Sequence, residues 1–72
     1  MEYVEVRYGQ TRNVFIDGVE SGETNKILRV GPGTHSFDLG EPKDFKPEKV
    51  IVVVENTDPL EPLLIEFEEK TS

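Results

Sequence analysis

The chain has 72 residues, with 15 acidic residues, 8 basic residues, one histidine and no cysteine, and its formal net charge is −7. This length suits one domain with a thin core, and the lack of cysteine excludes disulfides and thiolate zinc sites. Because the acidic charge repels phosphate backbones and anionic lipid, we expect no nucleic-acid binding. We also expect no membrane insertion and no signal or transmembrane segment within the chain, since no apolar run approaches about 20 residues.

Apolar and polar residues alternate with a period of two through most of the chain, which predicts strands. In chain order the predicted strands are EYVEVRY, NVFI, KILRV, THSFDL, KVIVVVE and PLLIEFEE. The segment KVIVVVE is apolar on both faces, so we expect an interior strand in which at least four of residues 50–54 are buried. Together the strands predict an all-β fold, a small Greek-key-like β-sandwich of six or seven short strands.

Glycine, proline and aspartate mark the turns between these strands. Asp17-Gly18 is a strong hairpin signal, because a type I′ turn needs positive φ and glycine adopts it freely. Gly31-Pro32-Gly33 is expected to close a second hairpin, and we predict positive φ at Gly18, at Gly33 or at both. The polar stretch from residue 40 to residue 49 contains two prolines. It suits a crossover between sheets better than a tight turn.

Few residues of the chain form a pattern that indicates chemistry. Asp17, Glu20 and Glu23 offer carboxylates, but their spacing differs from that of calcium loops, so we interpret them as a turn residue and solvated hairpin charges. His35 has no nucleophile motif nearby and is interpreted as a partly buried residue at the edge of the core. We therefore predict no catalytic, cofactor-binding or metal-binding residue, no cofactor and no enzymatic activity.

Phe45 lies in the polar stretch, between Asp44 and Lys46. Its ring either anchors this segment by closing the open end of the core or is exposed for recognition. We favour the anchor, because a small core needs every large side chain. Phe45 is nevertheless the one candidate interaction residue that the sequence offers.

The order of these features resembles the PEGA domain family. The similarity covers about residues 14–54 and rests on VFIDGVESGET, ILRVGPGTHSFDLG, the aromatic Phe45 and the strand VIVVV. The chain departs from the family's pattern at two places. Asn25 stands where the family usually has proline, which predicts a looser connection there. GQTR precedes Val14 where the family has Pro-Glu-Gly-Ala. The positions that match the family's pattern are Asp17, Gly18, Gly22, Thr24, Pro32, Gly33 and His35.

The resemblance implies a single β-sandwich domain over residues 1–72, excised from a longer protein, whose matched residues are structural. It implies a non-catalytic interaction or spacer module of a multidomain cell-surface or envelope protein, and hence an extracytoplasmic location. Its partners would be a protein, a surface polymer or neighbouring domains of the parent chain, and the isolated domain would be a monomer. The alternative is a small module that binds carbohydrate or, with calcium, another ligand, for which exposed aromatic rings would be needed.

A small sandwich leaves sheet edges unpaired, and an unpaired edge can accept a partner strand through main-chain hydrogen bonds. We expect the first strand, EYVEVRY, and the last, LLIEFEE, to be such edges. The last strand is strongly acidic, which disfavours pairing with most partners. The first strand is therefore the expected contact with a partner or a neighbouring domain.

Overall fold

Nine short strands form along the chain, largely where apolar and polar residues alternate. The computed structural model describes residues 1–70, in which there is no helix, and this confirms the all-β prediction. There are more strands than the six or seven predicted, because two of them have only two residues and are too short to show alternation. The strands are β1 (Glu2–Arg7), β2 (Asn13–Ile16), β3 (Val19–Glu23), β4 (Ile27–Val30), β5 (Gly33–Asp38), β6 (Phe45–Lys46), β7 (Val50–Val54), β8 (Leu63–Glu66) and β9 (Glu68–Glu69).

The strands form two main sheets and one small sheet. The first main sheet has the order β4-β1-β8, the second has the order β3-β2-β5-β7, and β6 pairs with β9. Strand β1 pairs antiparallel with β4 and parallel with β8, whereas the strand pairs of the other two sheets are antiparallel. The first and last long strands of the chain are therefore hydrogen-bonded neighbours.

The core takes one face of each main sheet, as the period-two pattern requires. In β1, for example, Val4 and Val6 are fully buried while Arg7 is exposed. The small sheet adds Phe45, whose ring stands edge-on to Phe67 with 5.5 Å between the ring centroids. The buried apolar residues are Val4, Val6, Tyr8, Val14, Ile16, Val30, Phe37, Leu39, Phe45, Val54, Ile65 and Phe67.

Strand β7 is an edge strand, although its apolar sequence predicted an interior one. Only β5 pairs with it among the described strands. Val54 is fully buried and Val50 and Val52 pack against the core, but Ile51 is 68% exposed and Val53 53% exposed. The prediction that at least four of these five residues are buried is wrong, because so short a chain has no third layer to cover the outer face of the sheet.

Three further expectations about the topology are also wrong. Strand β1 is the centre of its sheet and not an edge. The turn at residues 31–33 joins β4 to β5 and so passes from one sheet to the other instead of closing a hairpin. Residues 40–49 were expected to cross between sheets, but they connect β5 and β7, which are neighbours in one sheet. Alternation identifies the buried face of a strand but not its neighbours, so these errors share one cause.

The first hairpin forms as predicted. Asp17 and Gly18 connect β2 to β3 with φ of 54° and 82°, as a turn with two left-handed central residues requires. Gly33 also has positive φ, at 122°. Both glycine predictions are therefore confirmed.

The backbone at Gly33 predicts a specific cost of substitution. We expect Gly33→Val to lower the free energy of unfolding by roughly 1–2 kcal/mol, because a side chain resists this conformation although the space around the position is open. Gly31→Val is the matched control, since Gly31 is also in open space and lies outside the left-handed region. Urea denaturation compares the two variants, and an equal loss in both would contradict the argument.

Candidate functional site

The only histidine of the chain forms a hydrogen-bonded pair with the first aspartate of the hairpin turn. Nδ1 of His35 lies 2.6 Å from Oδ2 of Asp17. Nε2 of the same ring lies 2.7 Å from the carbonyl oxygen of Gly31. The sequence separates these residues by up to 18 positions, and pairing of β2 with β5 brings them together. We call this arrangement the Asp17–His35 clamp.

The local backbone explains why Asp17 reaches this place. Its N–H donates to the carbonyl oxygen of Ser36 at 2.9 Å, and its Oδ1 accepts from the N–H of Ser36 at 3.0 Å. The side chain thus continues the ladder between β2 and β5 after the backbone has turned away, which aspartate does readily at turns. The second carboxylate oxygen is left to face the imidazole.

The clamp stabilises the doubly protonated imidazole, because both ring nitrogens face acceptors and only the cation donates from both. The hydrogen bond that the His35 ring donates to the Asp17 carboxylate, followed by the one it donates to the Gly31 carbonyl, raises the pKa of His35. The hydrogen bond from His35 lowers the pKa of Asp17 in return. Both ring nitrogens therefore face internal acceptors, and the clamp ties β5 and the turn at Gly31 to the hairpin turn at Asp17.

The other residues of the PEGA-like pattern also hold the backbone. Thr24 is 1% exposed; its hydroxyl donates to the carbonyl oxygen of Gln10 at 2.8 Å and accepts from the N–H of Arg12 at 2.9 Å. A Cβ at Gly22 would collide with the side chain of Leu28. The hydrogen bonds of Thr24 and the lack of space beside Gly22 explain why a threonine and a glycine occupy these two positions.

Asn25 does not leave a loose connection, contrary to the expectation drawn from its replacing proline. Its amide nitrogen donates to the carbonyl oxygen of Tyr8 at 3.0 Å, and its amide oxygen accepts from the N–H of Tyr8 at 3.2 Å. The side chain therefore pairs with the end of β1 as a neighbouring strand would. Asparagine tolerates the positive φ of 65° that this position requires.

The acidic residues of the first hairpin point in different directions. Asp17 faces His35, Glu23 lies 2.7 Å from Nζ of Lys26, and Glu20 is exposed. Within residues 1–70 no group of three or more histidine, cysteine, aspartate or glutamate side chains is arranged to hold a metal ion. The hairpin thus turns the chain without gathering its carboxylates.

Phe45 is 1% exposed and anchors residues 40–49 to the core. Its ring meets Tyr8 and Phe67 edge to face, and the guanidinium carbon of Arg12 lies 5.5 Å from its centroid. The interpretation as an anchor is confirmed, and the ring is not available for contact with a partner. Phe45 is therefore not an exposed interaction residue.

Arg12 ties the same segment down through its planar fork. One terminal nitrogen donates to Oδ1 of Asp44 at 2.7 Å, and the other donates to the carbonyl oxygens of Pro42 at 2.8 Å and Leu39 at 3.3 Å. The hydrogen bond from Arg12 lowers the pKa of Asp44. No sequence pattern indicates this contact, because 27 to 32 positions separate the partners.

Two surface features remain as candidates for contact with another molecule. A shallow depression of about 480 Å³ is lined by Lys46, Pro47, Glu66 and Glu68, but it has no buried polar group that would select a ligand. The second feature is the free edge of β7 with its exposed Ile51 and Val53. The apolar run KVIVVVE was the sequence signal for it, read there as a sign of burial.

Comparison with family models, curated proteins and solved structures finds no match for this chain. The described part of the chain contains no helix that is long and apolar enough to cross a membrane.

The clamp predicts a window of pH in which it stabilises the fold. Because the pKa of His35 is raised on folding, its contribution to stability is present below about pH 6.5 and is lost as pH rises through the pKa of the folded state. Because the pKa of Asp17 is lowered on folding, its contribution is present above about pH 4 and is lost as pH falls through the pKa of the folded state. Urea denaturation measures the free energy of unfolding of the wild type and of Asp17→Asn across this range. We expect the variant to be less stable, with the largest difference between these two pH limits.

An NMR titration checks the cause separately, because the chain has one histidine. The C–H signals of His35 should report a pKa above 6.5 in the wild type and a lower one in Asp17→Asn. Equal values in the two proteins would show that the carboxylate does not hold the proton on the ring.

The fork of Arg12 predicts that a lysine will not replace it. Arg12→Lys keeps the charge but loses the simultaneous bonds to Asp44, Leu39 and Pro42. We expect faster amide hydrogen exchange in residues 40–46, with little change in β1. Arg29→Lys is the matched control, because Arg29 is exposed, and an equal acceleration in both variants would contradict the assignment.

Proposed function

We propose that this chain is a non-catalytic spacer and interaction module of a multidomain protein. The observation that carries the proposal is the parallel pairing of β1 with β8, in the register Val4↔Leu63 to Arg7↔Glu66. Because the strands run in the same direction, the chain enters at the start of this pair and leaves beyond its end. Entry and exit are separated by the length of β1, roughly 20 Å at 3.3 Å per residue.

This arrangement suits a domain that transmits tension along a longer chain. A pull on the two ends slides β1 against β8 and loads all of their hydrogen bonds at once, whereas a pull that opens an antiparallel pair from one end breaks its bonds one after another. Further contacts hold the same strands, since β1 also pairs with β4 and the N–H of Phe67 donates to the carbonyl oxygen of Arg7 at 2.9 Å. The paired ends therefore support the spacer part of the proposal.

The arrangement of polar groups supports a non-catalytic role. Both nitrogens of His35 are held by internal acceptors, and no buried side-chain nitrogen or oxygen in residues 1–70 lacks a hydrogen-bond partner. All six aromatic residues are buried or half-buried, so nothing favours a carbohydrate platform over the spacer.

The PEGA resemblance supports a place for this module in a cell-surface or envelope protein. The residues that carry the resemblance form one hairpin turn, a turn between the two main sheets, a buried threonine and the Asp17–His35 clamp. Each of them stabilises connections of the sandwich, as expected of a domain pattern that is shared for structural reasons. The parent protein would supply any activity, and this domain would supply spacing and contact.

Single-molecule force spectroscopy tests the spacer role. We expect a higher unfolding force when the domain is pulled through its termini than when it is pulled through cysteines introduced by Gly31→Cys and Glu55→Cys. The second pair of sites lies at one end of the antiparallel β5–β7 pair, so it peels the bonds in sequence. The chain has no cysteine of its own, which keeps the attachment unique.

A structural control connects the force to the β1–β8 pair. Leu63→Pro removes a backbone N–H from β8 next to Val4 and should lower the terminal unfolding force, while Val19→Pro in the distant edge strand β3 should lower it less. Equal forces in the two pulling directions would argue against a load-bearing spacer.

A further inference from the structure

We infer that the free edge of β7 binds β7 of a second copy of this chain, antiparallel, and joins two four-stranded sheets into one. The partner strand lies beside Val50–Val54, and a two-fold axis passes between the Val52 residues of the two copies. The inference deepens the interaction part of the proposed function by naming the partner. Its test is independent of the force measurement, so either can fail without the other.

The backbone groups of β7 show which atoms are free to bind. The N–H and the carbonyl oxygen of Ser36 are both engaged by Asp17, and Ser36 lies opposite Ile51. Ser36 and Ile51 therefore form a pair without mutual hydrogen bonds, and by alternation the N–H and C=O groups of Ile51 and Val53 point away from β5. No described residue, from 1 to 70, pairs with β7 on that side.

The side chains at these two positions make the edge attractive to a strand. Ile51 is 68% exposed and Val53 53% exposed, on the outer face of the sheet. Other sheet edges carry charge that discourages pairing, such as Glu20 in β3, Arg29 in β4 and Glu66 in β8. Strand β7 has five β-branched apolar residues and no charge, which is an unguarded edge.

Charge at the two ends of β7 selects a second copy in the antiparallel direction. The strand is preceded by Lys49 and followed by Glu55, both exposed. In the register that pairs Ile51 with Val53 of the second copy, Lys49 of each chain lies opposite Glu55 of the other. Opposite charges that face each other across strands are stabilising, and a parallel in-register pair would instead place lysine against lysine and glutamate against glutamate.

The interface is short, so we expect weak association that depends on protein concentration. A contact limited to one strand edge lies at or below the lower end of stable interfaces, which begin near about 1,200 Å². The net charge of −7 on each copy also opposes association. This proposal replaces the expectation of a monomer, since Ile51 and Val53 are exposed.

The first experiment is a series of charge-exchange variants, whose self-association is measured by sedimentation equilibrium and by NMR dilution up to about 1 mM protein. The salt concentration is about 0.15 M, at which long-range repulsion is screened. Lys49→Glu and Glu55→Lys should each weaken self-association roughly tenfold, because each places like charges opposite one another at both ends of the pair. The double variant, Lys49→Glu with Glu55→Lys, should recover the affinity of the wild type. A mixture of the two single variants should form heterodimers.

This series separates the specific pairing from a general effect of charge. Lys49→Glu makes the chain more acidic and Glu55→Lys makes it less acidic, so an effect of net charge alone would move the two affinities in opposite directions. Ile51→Lys should abolish self-association, and Val19→Lys is its matched control because Val19 is 65% exposed on the opposite edge of the same sheet. Circular dichroism verifies that each variant is folded.

A second experiment reads the register directly. In the inferred pair, Val50 of one copy and Val54 of the other face each other without mutual hydrogen bonds, which brings their Hα atoms close together. Within one strand these residues are about 13 Å apart. An isotope-filtered Hα–Hα nuclear Overhauser effect between labelled and unlabelled chains is expected. Three results would each overturn the proposal. The first is the absence of this nuclear Overhauser effect in an associated sample, and the second is a dimer that Ile51→Lys does not affect. The third is a protein that stays monomeric up to about 1 mM.

Discussion

The fold depends above all on the central position of β1. Its backbone pairs with β4 on one side and with β8 on the other, while Val4 and Val6 on its inner face are fully buried. One strand therefore joins the start of the chain, its middle and its end, which closes the largest loops with a single element. Thr57 adds to this, because its hydroxyl accepts from the N–H of Tyr3 at 2.7 Å and donates to Glu2 at 2.6 Å.

The sequence predicts the faces of strands better than the neighbours of strands, for a physical reason. Burial depends on side-chain alternation, which is local, so the inward positions of β1, β5 and β8 could be read correctly. Pairing depends on the whole set of competing sheet arrangements, and nothing in EYVEVRY distinguishes a central strand from an edge. The two turns illustrate this: Asp17-Gly18 encodes its own hairpin, but Gly31-Pro32-Gly33 is compatible with either a hairpin or a change of sheet.

Most contacts of the candidate site could not be predicted from the sequence, for the same reason. His35 could be placed on a core-facing strand, but its partner Asp17 belongs to another element and becomes adjacent only when β2 pairs with β5. Arg12 gave no signal at all, because its acceptors include the carbonyl oxygens of Leu39 and Pro42, and backbone acceptors carry no side-chain identity. Phe45 was predictable because a large ring in a polar segment of a small protein has few alternatives to the core.

The exposure of β7 follows from the size of the chain. Two sheets can cover one face of each other, and with 72 residues no third layer is left for the outer faces. Strand β5 meets this constraint with Thr34 and Ser36 on the outer face. Strands β3, β4 and β8 each combine one exposed apolar side chain with an exposed charged residue. Strand β7 instead keeps Ile51 and Val53 there, at the edge where backbone groups are also free. Apolar side chains and unpaired backbone at the same place are costly for an isolated chain, and a paired strand satisfies both.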